Sequence, residues 1–144
     1  MVYINEIALV SCVSKKQPYN QIKAKNLYDS VWFNKMKYYI ENNYSQWFIL
    51  SMKYGLVHPE QIIDYYDVSD KHTTANYRKN WANEVYQSIT NQFDNKTKID
   101  IYAGRKYRQY LIPLLEKSGY FIYIPLLSKG IGEQLQWLNL QNKK

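Results

Sequence analysis

The chain has 144 residues, of which 46% are hydrophobic and 22% charged, and 19 Lys and Arg against 12 Asp and Glu give it a net charge of +7. Its single cysteine, Cys12, excludes an intrachain disulfide, and two histidines, His58 and His72, are too few for a cluster with the spacing of zinc ligands. No run approaches the roughly 18 apolar residues of a membrane span, so we expect one cytoplasmic domain covering residues 1–144, without metal, cofactor or membrane contact.

Short apolar segments and helical stripes alternate along the chain. Residues 6–12, 47–52, 98–103 and 120–126 are rich in β-branched and aromatic side chains and predict four strands. Apolar positions at helical spacing predict helices over residues 27–44, 76–93, 107–117 and 131–139, and Ser118-Gly119 predicts the end of the third. The alternation indicates an α/β fold, a three-layer α/β/α sandwich around a central four-stranded, mainly parallel sheet. The helix tryptophans Trp32, Trp81 and Trp137 are expected in its core.

The loops that follow the four predicted strands carry the residues that we expect to bind a ligand. In an open parallel sheet, ligands bind beyond the carboxyl ends of the strands, where the strand order reverses. Small, basic and aromatic residues are concentrated in these loops, which places much of the positive charge at one sheet edge. The predicted ligand-binding residues are Ser11, Cys12, Lys15, Lys16, Tyr19, Ser51, Lys53, Tyr54, Gly104, Arg105, Arg108, Gly130, Gly132 and Gln134.

The first of these loops predicts an anion site. Ser11 and the backbone amides would hold a phosphate, and Lys15 and Lys16 would add positive charge. The alternative is a solvated lysine loop in which Cys12 is half-buried as a small hydrophobic residue. A nucleophilic role for Cys12 would need a nearby base, and neither histidine follows another predicted strand.

The third and fourth loops combine glycine with charged residues. Arg105 opens a helix directly after a strand, where a cation is unfavourable to the helix dipole, so contact between Arg105 and a phosphate explains this position better than a solvated face. Arg108 either joins that contact or packs on the sheet. Gly130 and Gly132 would let the backbone approach a base or sugar, and Gln134 would hydrogen-bond to the edge of that base. The alternative is a turn that the glycines make possible.

Two carboxylates are candidates for catalysis. Asp67 lies in an acidic stretch, residues 60–70, and Glu133 follows the last glycine pair; either would orient a water molecule. Asp64 is a further candidate in the acidic stretch. For the acidic stretch, the alternative is a solvated loop that supplies a helix cap. For Glu133, the alternative is a structural place in the first turn of a helix.

Sixteen tyrosines and four tryptophans accompany the basic charge. Nucleic-acid-binding proteins use Lys and Arg to neutralise phosphates and aromatic rings to stack on bases. An A/T-rich coding sequence would give a similar composition by drift. The gathering of cations in loops at one sheet edge favours nucleic-acid binding, with Tyr19 or Tyr54 stacking on a base.

Five motifs in order resemble a bacterial and phage family catalogued as domain of unknown function 6884. The SC-x-x-KK-x-PY loop is also similar to the core loop of archaeosine synthase, and SxKYGL to the peroxide-stress DNA-binding family YaaA. The predicted fold is similar to that of the uracil-DNA glycosylase superfamily, although the water-activating Asp and catalytic His loops of that superfamily are not recognisable. The motifs of the first resemblance are LVSCVSKKQPY (9–19), LYDSVWF (27–33), WFILSMKYGLVHP (47–59) with Tyr66-Asp67, AGRKYR (103–108) and PLLSKGIGEQLQWL (125–138).

The residues and the resemblance together predict a nucleic-acid- or nucleotide-binding protein, with DNA the expected partner. If it is an enzyme, we expect glycosylase-like cleavage of an N-glycosidic bond to a modified base, with Asp67 or Glu133 orienting water. The alternatives are a non-catalytic DNA- or RNA-binding accessory protein and a small-molecule nucleotide enzyme or sensor.

Overall fold

The computed structural model describes residues 5–144. Its strands and helices alternate in the predicted manner, and none of the helices within the described range is long and apolar enough to cross a membrane. The elements are β1 (Asn5–Ser11), β2 (Ile22–Lys23), α1 (Ala24–Leu27), α2 (Val31–Asn43), β3 (Gln46–Ser51), β4 (Gly55–Val57), β5 (Ile62–Ile63), a 3₁₀ helix (Asp70–His72), α3 (Ala75–Gln92), β6 (Thr97–Tyr102), α4 (Arg105–Arg108), α5 (Leu111–Lys117), β7 (Phe121–Tyr123) and α6 (Ile131–Gln141).

The main sheet has the strand order β4-β3-β1-β6-β7. The four strands anticipated from the sequence are parallel to one another, with Val10 of β1 opposite Ile49 of β3 and Tyr102 of β6. This confirms the α/β class and the mainly parallel sheet. The expected number of four strands was wrong, because β4 adds an antiparallel edge strand. β4 begins at Gly55, whose φ of +78° suits glycine, and its three residues are too few to show a strand pattern.

The helices form two layers because successive crossovers run in opposite directions. The chain passes from β1 to β3 on one side and then crosses to β6 on the other, and right-handed crossovers place the connecting helices on opposite faces. α2 packs with α6 on one face, while α3 packs with α5 on the other. The residues of β1 from Ile7 to Val10 are completely buried, as expected for a central strand covered on both faces.

Three element boundaries differ from the sequence predictions. The first predicted helix begins at Val31 rather than at residue 27, because the Ser30 hydroxyl caps α2 by accepting a hydrogen bond from the Phe33 amide at 3.0 Å; α1 is a separate short helix before it. The third is divided into α4 and α5, because Pro113 has no amide proton and its ring would clash with the carbonyl of Gln109 in a continuous helix. The last strand stops at Tyr123, where a turn joins the Leu127 amide to the Ile124 carbonyl at 3.1 Å.

A buried carboxylate lies in the middle of the sheet, beneath α2. Asp100 of β6 is only 3% exposed, and it accepts hydrogen bonds from Lys98 Nζ at 2.6 Å and from the Tyr44 hydroxyl at 2.5 Å. Tyr44 is also within 2.7 Å of the Tyr102 hydroxyl. Burial, together with the neighbouring carboxylate, raises the pKa of the Tyr44 and Tyr102 hydroxyls, so both remain protonated donors.

The topology defines where a ligand would bind. The strand order reverses between β1 and β6, and the carboxyl ends of these two strands lie side by side. Each helix that follows a parallel strand begins at this same edge. The edge therefore collects the loop after β1, the loop after β6 and the first turns of α2, α4 and α6.

Candidate functional site

A thiol and a phenol meet at the point where the strand order reverses. Cys12 directly follows β1 and is 6% exposed, and its amide donates to the Leu50 carbonyl of β3 at 2.9 Å. Its Sγ lies 3.2 Å from the hydroxyl of Tyr107, which α4 carries into the core. Burial raises the pKa of Tyr107, with a smaller contribution from Cys12. This contact joins the loop after β1 to the loop after β6.

A hydroxyl cluster, formed by Tyr28, Ser51 and Tyr66, lies beside the thiol. The Tyr28 and Tyr66 oxygens are 2.6 Å apart, and Ser51 Oγ donates to the Tyr66 oxygen at 2.9 Å. Trp81 supports the cluster through its indole N–H, which donates to the Ser51 carbonyl at 2.7 Å. Burial raises the pKa of both tyrosines, so the cluster is a neutral, fully hydrogen-bonded group.

Lys16 covers the hydroxyl cluster. Its Nζ lies 4.6 Å from the centre of the Tyr66 ring and donates to the Ser14 carbonyl at 3.3 Å. Partial burial lowers the pKa of Lys16, while Cys12 and Asp67 act in the opposite direction. The loop is fixed because Lys16 forms an isolated antiparallel β-bridge with Tyr28. Lys16 is thus a positioned, half-buried cation at the mouth of β1.

A cavity of about 170 Å³ opens beside this centre, between the ends of β6 and β7 and the first turns of α2 and α6. Trp32 forms one wall, which corrects the expectation that all three helix tryptophans are core residues: only Trp81 is fully buried, and Trp32 and Trp137 are half-buried. The remaining lining combines apolar side chains with polar and charged ones. The lining residues are Trp32, Ile101, Tyr102, Ala103, Gly104, Arg108, Ile124, Leu126, Leu127, Ser128, Lys129 and Gln134.

Arg108 is the unsatisfied group of this cavity. Its Nε is buried, and within residues 5–144 no acceptor is bonded to that atom. The ion pairs of the same residues involve Lys23, Lys25 and Lys98, and none involves Arg108 or Lys129. A buried guanidinium nitrogen without an acceptor is costly. Because Nε has almost no accessible surface, a ligand in the cavity would bond to the terminal nitrogens of the Arg108 guanidinium rather than to Nε.

Gln134 is held in place at the opposite wall. Its Oε1 accepts from the Trp32 indole N–H at 2.8 Å, and its Nε2 donates to the Lys129 carbonyl at 2.9 Å. A primary amide has two donor hydrogens and two acceptor lone pairs, so one of each remains for a ligand. Ser128, the residue before Lys129, has a φ of +73°, an unusual backbone conformation for a serine. The amide of Gln134 is therefore preorganised rather than free to rotate.

The glycines that border the site are not required by the fold. Gly104 and Gly130 have φ of −71°, which any residue adopts. A Cβ added at Gly104 or Gly132 would meet no atom within 4 Å, and at Gly130 it would meet only the Glu133 carboxylate at 3.8 Å. These three glycines therefore leave open space at the site without a conformational reason for it.

The two carboxylates predicted as catalytic have different surroundings. Glu133 lies in the first turn of α6 and accepts from the Gly130 amide at 3.3 Å, so it serves as a helix cap. Asp67 is exposed and accepts from the Tyr65 hydroxyl at 2.7 Å, in the electrostatic range of Lys16. Asp64 instead accepts from the Gln21 amide at 2.9 Å.

The remainder of the acidic stretch is structural. Glu60 pairs with Lys25 at 2.6 Å and Lys23 at 2.9 Å, and these bonds lower the pKa of Glu60 to about 2. The stretch also contains β5, which pairs with β2 in a small antiparallel sheet that the sequence pattern did not reveal. No group of three or more His, Cys, Asp or Glu within residues 5–144 is arranged to hold a metal ion.

The other predicted ligand residues are spread along the same edge. Ser11 is buried at the end of β1, whereas Lys15, Tyr19 and Arg105 are exposed. Lys53 points its ammonium toward the Tyr54 ring, 5.4 Å away, and lines a separate cavity against α3. The structure thus brings Cys12, Lys16 and Ser51 together in one centre, and Gly104, Arg108 and Gln134 in the adjoining cavity.

Several residues of the site were not predicted as ligand-binding from the sequence, and three of them have clear roles. Tyr28 and Tyr66 form the hydroxyl cluster, and Trp32 forms the cavity wall. Tyr28 and Trp32 stand within the LYDSVWF motif, and Tyr66 precedes Asp67, so the motifs marked their neighbourhood without showing their roles.

Comparison with known proteins gives a family but no activity. A family model described as "Family of unknown function (DUF6884)" matches residues 7–140. The uncharacterized protein YfjM of Bacillus subtilis (strain 168) is similar to this chain, with 27% identity over an alignment of 144 positions that covers 94% of each chain. No solved structure matches significantly, so the wider similarities to archaeosine synthase, YaaA and the glycosylases stay predictions.

Proposed function

We propose that this chain, which belongs to the DUF6884 family, binds a nucleotide of DNA or RNA at the carboxyl edge of its sheet, with the base in the cavity between Trp32 and Arg108. The observation that carries the proposal is a single cavity whose lining combines the Trp32 ring, the Arg108 guanidinium and the fixed amide of Gln134. Nucleobases offer flat faces for stacking and ring nitrogens or carbonyls for a guanidinium.

The size and chemistry of the cavity favour a base over a whole nucleotide. Its volume of about 170 Å³ is below the roughly 300 Å³ at which sites for drug-sized ligands begin. Ile101, Ile124 and Leu126 give apolar walls, and the fixed Gln134 amide offers one donor and one acceptor to a base edge. The sugar and phosphate would then lie outside the cavity.

Positive groups border the mouth where that phosphate would lie. α6 begins beside Lys129, and the N-terminus of an 11-residue helix favours an anion; Glu133 accepts from the Gly130 amide, which leaves the first-turn amides of Ile131 and Gly132 for a phosphate. Arg105 and Lys106 follow Gly104 and form no ion pair within the described residues. Charge complementarity therefore supports a phosphate there.

Tryptophan fluorescence tests the proposal directly. Titration with nucleoside monophosphates is expected to quench the emission of the native protein, because a base stacked on Trp32 contacts one of only four indoles. The quenching should disappear in Trp32→Phe. It should persist in Trp47→Phe, because Trp47 lies near the start of β3 at the opposite edge of the sheet.

A native protein that neither quenches nor binds any of the four common monophosphates or a short oligonucleotide by calorimetry would refute the proposal. Quenching that survives in Trp32→Phe would place the base elsewhere. A shallow dependence of affinity on salt would favour a small-molecule nucleotide enzyme or sensor, since several phosphate contacts give a steep one.

Cleavage of an N-glycosidic bond is the second candidate, and the position of Asp67 favours it. The Tyr65 hydroxyl orients the Asp67 carboxylate beside Lys16 at the same edge, so Asp67 could orient a water molecule while Lys16 stabilises negative charge on the departing base. Glu133 is less suited, because it caps α6.

Base release separates an enzyme from an accessory binding protein. We expect chromatography to detect free base from oligonucleotides with modified bases, and we expect Asp67→Asn to reduce the rate at least about 100-fold without weakening binding. Glu133→Gln, with the neutral cap preserved, should retain most of the rate. Absence of product from a broad panel of modified bases would support non-catalytic binding.

A further inference from the structure

Three exposed tyrosines stand on neighbouring segments beside the proposed site. Tyr19, Tyr54 and Tyr65 are 59%, 36% and 41% exposed. Three hydrogen bonds bring their segments together: the Tyr65 amide donates to Asn20 Oδ1 at 3.1 Å, the Gln21 amide to Asp64 Oδ1 at 2.9 Å, and the Tyr54 hydroxyl to the Asp64 carbonyl at 3.4 Å. We call this surface the tyrosine platform.

The tyrosine platform is continuous with the centre at the end of β1. The Tyr54 ring meets the Tyr66 ring edge-on with their centres 5.4 Å apart, and the Tyr54 amide donates to Ser51 Oγ at 3.0 Å. Lys16 lies against the other ring of this pair, Tyr66. The exposed rings therefore extend the same edge of the sheet away from Cys12.

Packing does not explain the exposure of these rings. Tyr28, Tyr66 and Tyr107 are at most 6% exposed and fill the core, whereas the three platform rings leave about a third to three-fifths of their surface in water. Grouped exposed aromatic side chains on a soluble protein mark an interaction surface more often than scattered ones do.

The charges around the tyrosine platform have a defined arrangement. Lys15, Lys16 and Lys53 lie on the loops after β1 and β3, and Lys53 Nζ is 5.4 Å from the Tyr54 ring centre. Asp64 and Asp67 are already hydrogen-bonded to Gln21 and Tyr65, and Asp67 is in the electrostatic range of Lys16. A phosphate backbone would follow the three lysines, with its bases over the rings.

We infer that the ligand is a single strand of nucleic acid, in which one base enters the cavity and neighbouring bases stack on Tyr19, Tyr54 and Tyr65. The inference rests on the proposed function and adds the class of substrate. A duplex hides the faces of its bases, and a free nucleotide has no neighbouring base for the rings, whereas single-strand binding combines lysines with aromatic stacking in the arrangement found here.

Fluorescence anisotropy with a labelled homothymidine strand of about ten nucleotides tests this inference, since single-strand site sizes are about 4–16 nucleotides. The native protein should bind this strand at least about ten-fold more tightly than thymidine monophosphate and than the same sequence in a duplex. The triple variant Tyr19→Ala, Tyr54→Ala, Tyr65→Ala should lose at least about ten-fold in affinity for the strand, because each stacked ring contributes several-fold. Its quenching by the monophosphate should be unchanged.

A matched variant, Tyr38→Ala with Tyr123→Ala, removes two rings of similar exposure, 57% and 50%, from other surfaces and should bind the strand as the native protein does. If the monophosphate binds but the strand binds no more tightly, or if the triple variant retains full affinity, the single-strand inference is overturned while the proposed function stands. Equal affinity for duplex and single strand would also overturn it. Failure of both ligands in the native protein would instead refute the proposed function.

Discussion

Arg108→Ala is expected to lower the affinity for a nucleotide by roughly 10- to 100-fold, because a hydrogen bond to a charged group contributes about 1.5–3 kcal/mol. The same change should leave the free energy of unfolding unchanged or raise it. In the unliganded protein the buried Nε of Arg108 has no acceptor among residues 5–144, so its removal deletes an unsatisfied group rather than a native bond. Calorimetric titration and urea denaturation measure the two effects separately.

Two matched variants sharpen this prediction. Arg108→Lys keeps the charge and removes the planar fork of donors, so it should recover only part of the affinity. Lys117→Ala removes an exposed cation from the last turn of α5, away from the carboxyl edge of the sheet, and should leave the affinity unchanged. If Arg108→Ala binds normally but unfolds at lower urea, Arg108 has a structural role and the cavity is not the base site.

Asp100→Ala is expected to lower the free energy of unfolding by about 1–3 kcal/mol, because Lys98 and the Tyr44 hydroxyl lose their buried acceptor and keep only Glu6, 3.7 Å from Lys98 Nζ, and Tyr102. Such a loss is a measurable share of the roughly 5–15 kcal/mol that stabilises an ordinary domain. The reduced midpoint of urea denaturation, followed by far-UV circular dichroism, is the measurement.

Glu116→Ala is the matched control, because it also removes one carboxylate, but from the exposed surface of α5. It should change the free energy of unfolding by no more than about 0.5 kcal/mol. Replacing the whole group, with Asp100→Leu, Lys98→Met and Tyr44→Phe, should cost less than Asp100→Ala, because neither donor is left without its buried acceptor. A loss below about 1 kcal/mol in Asp100→Ala would show that water reaches this carboxylate.

The strands whose bounds the sequence predicted well are those whose residues are buried on both faces, whereas β7, an exposed edge strand, is shorter than predicted. β1, β3 and β6 form near-continuous apolar runs, and their observed bounds lie within one residue of the predictions. β4 and β5 have three and two residues, too few for any periodicity, and they form because neighbouring strands offer them hydrogen bonds. The break between α4 and α5 was open to prediction, since Pro113 stands inside the predicted helix.

The location of the candidate site was more predictable than its contacts. A parallel sheet sends every following loop to one edge, so Lys16, Gly104 and Gln134 could be assigned to that edge from sequence order alone. Which side chain turns inward could not be assigned, because it depends on packing between distant segments. Tyr66 lies within the acidic stretch, in a segment without an apolar pattern, yet it is buried by its contacts with Tyr28 and Ser51.

The strand order also determines when the site can form as the protein folds. The Cys12–Tyr107 contact joins residues 95 apart in the chain, and the Trp32–Gln134 bond joins residues 102 apart. Contacts of such sequence separation close large loops, which costs conformational entropy. A nascent chain that has reached Tyr66 holds every residue of the hydroxyl cluster, but it lacks Tyr107 and Arg108 until α4 has been synthesised and lacks Gln134 until α6 follows. Ligand binding in the cavity therefore requires a chain that is folded through α6.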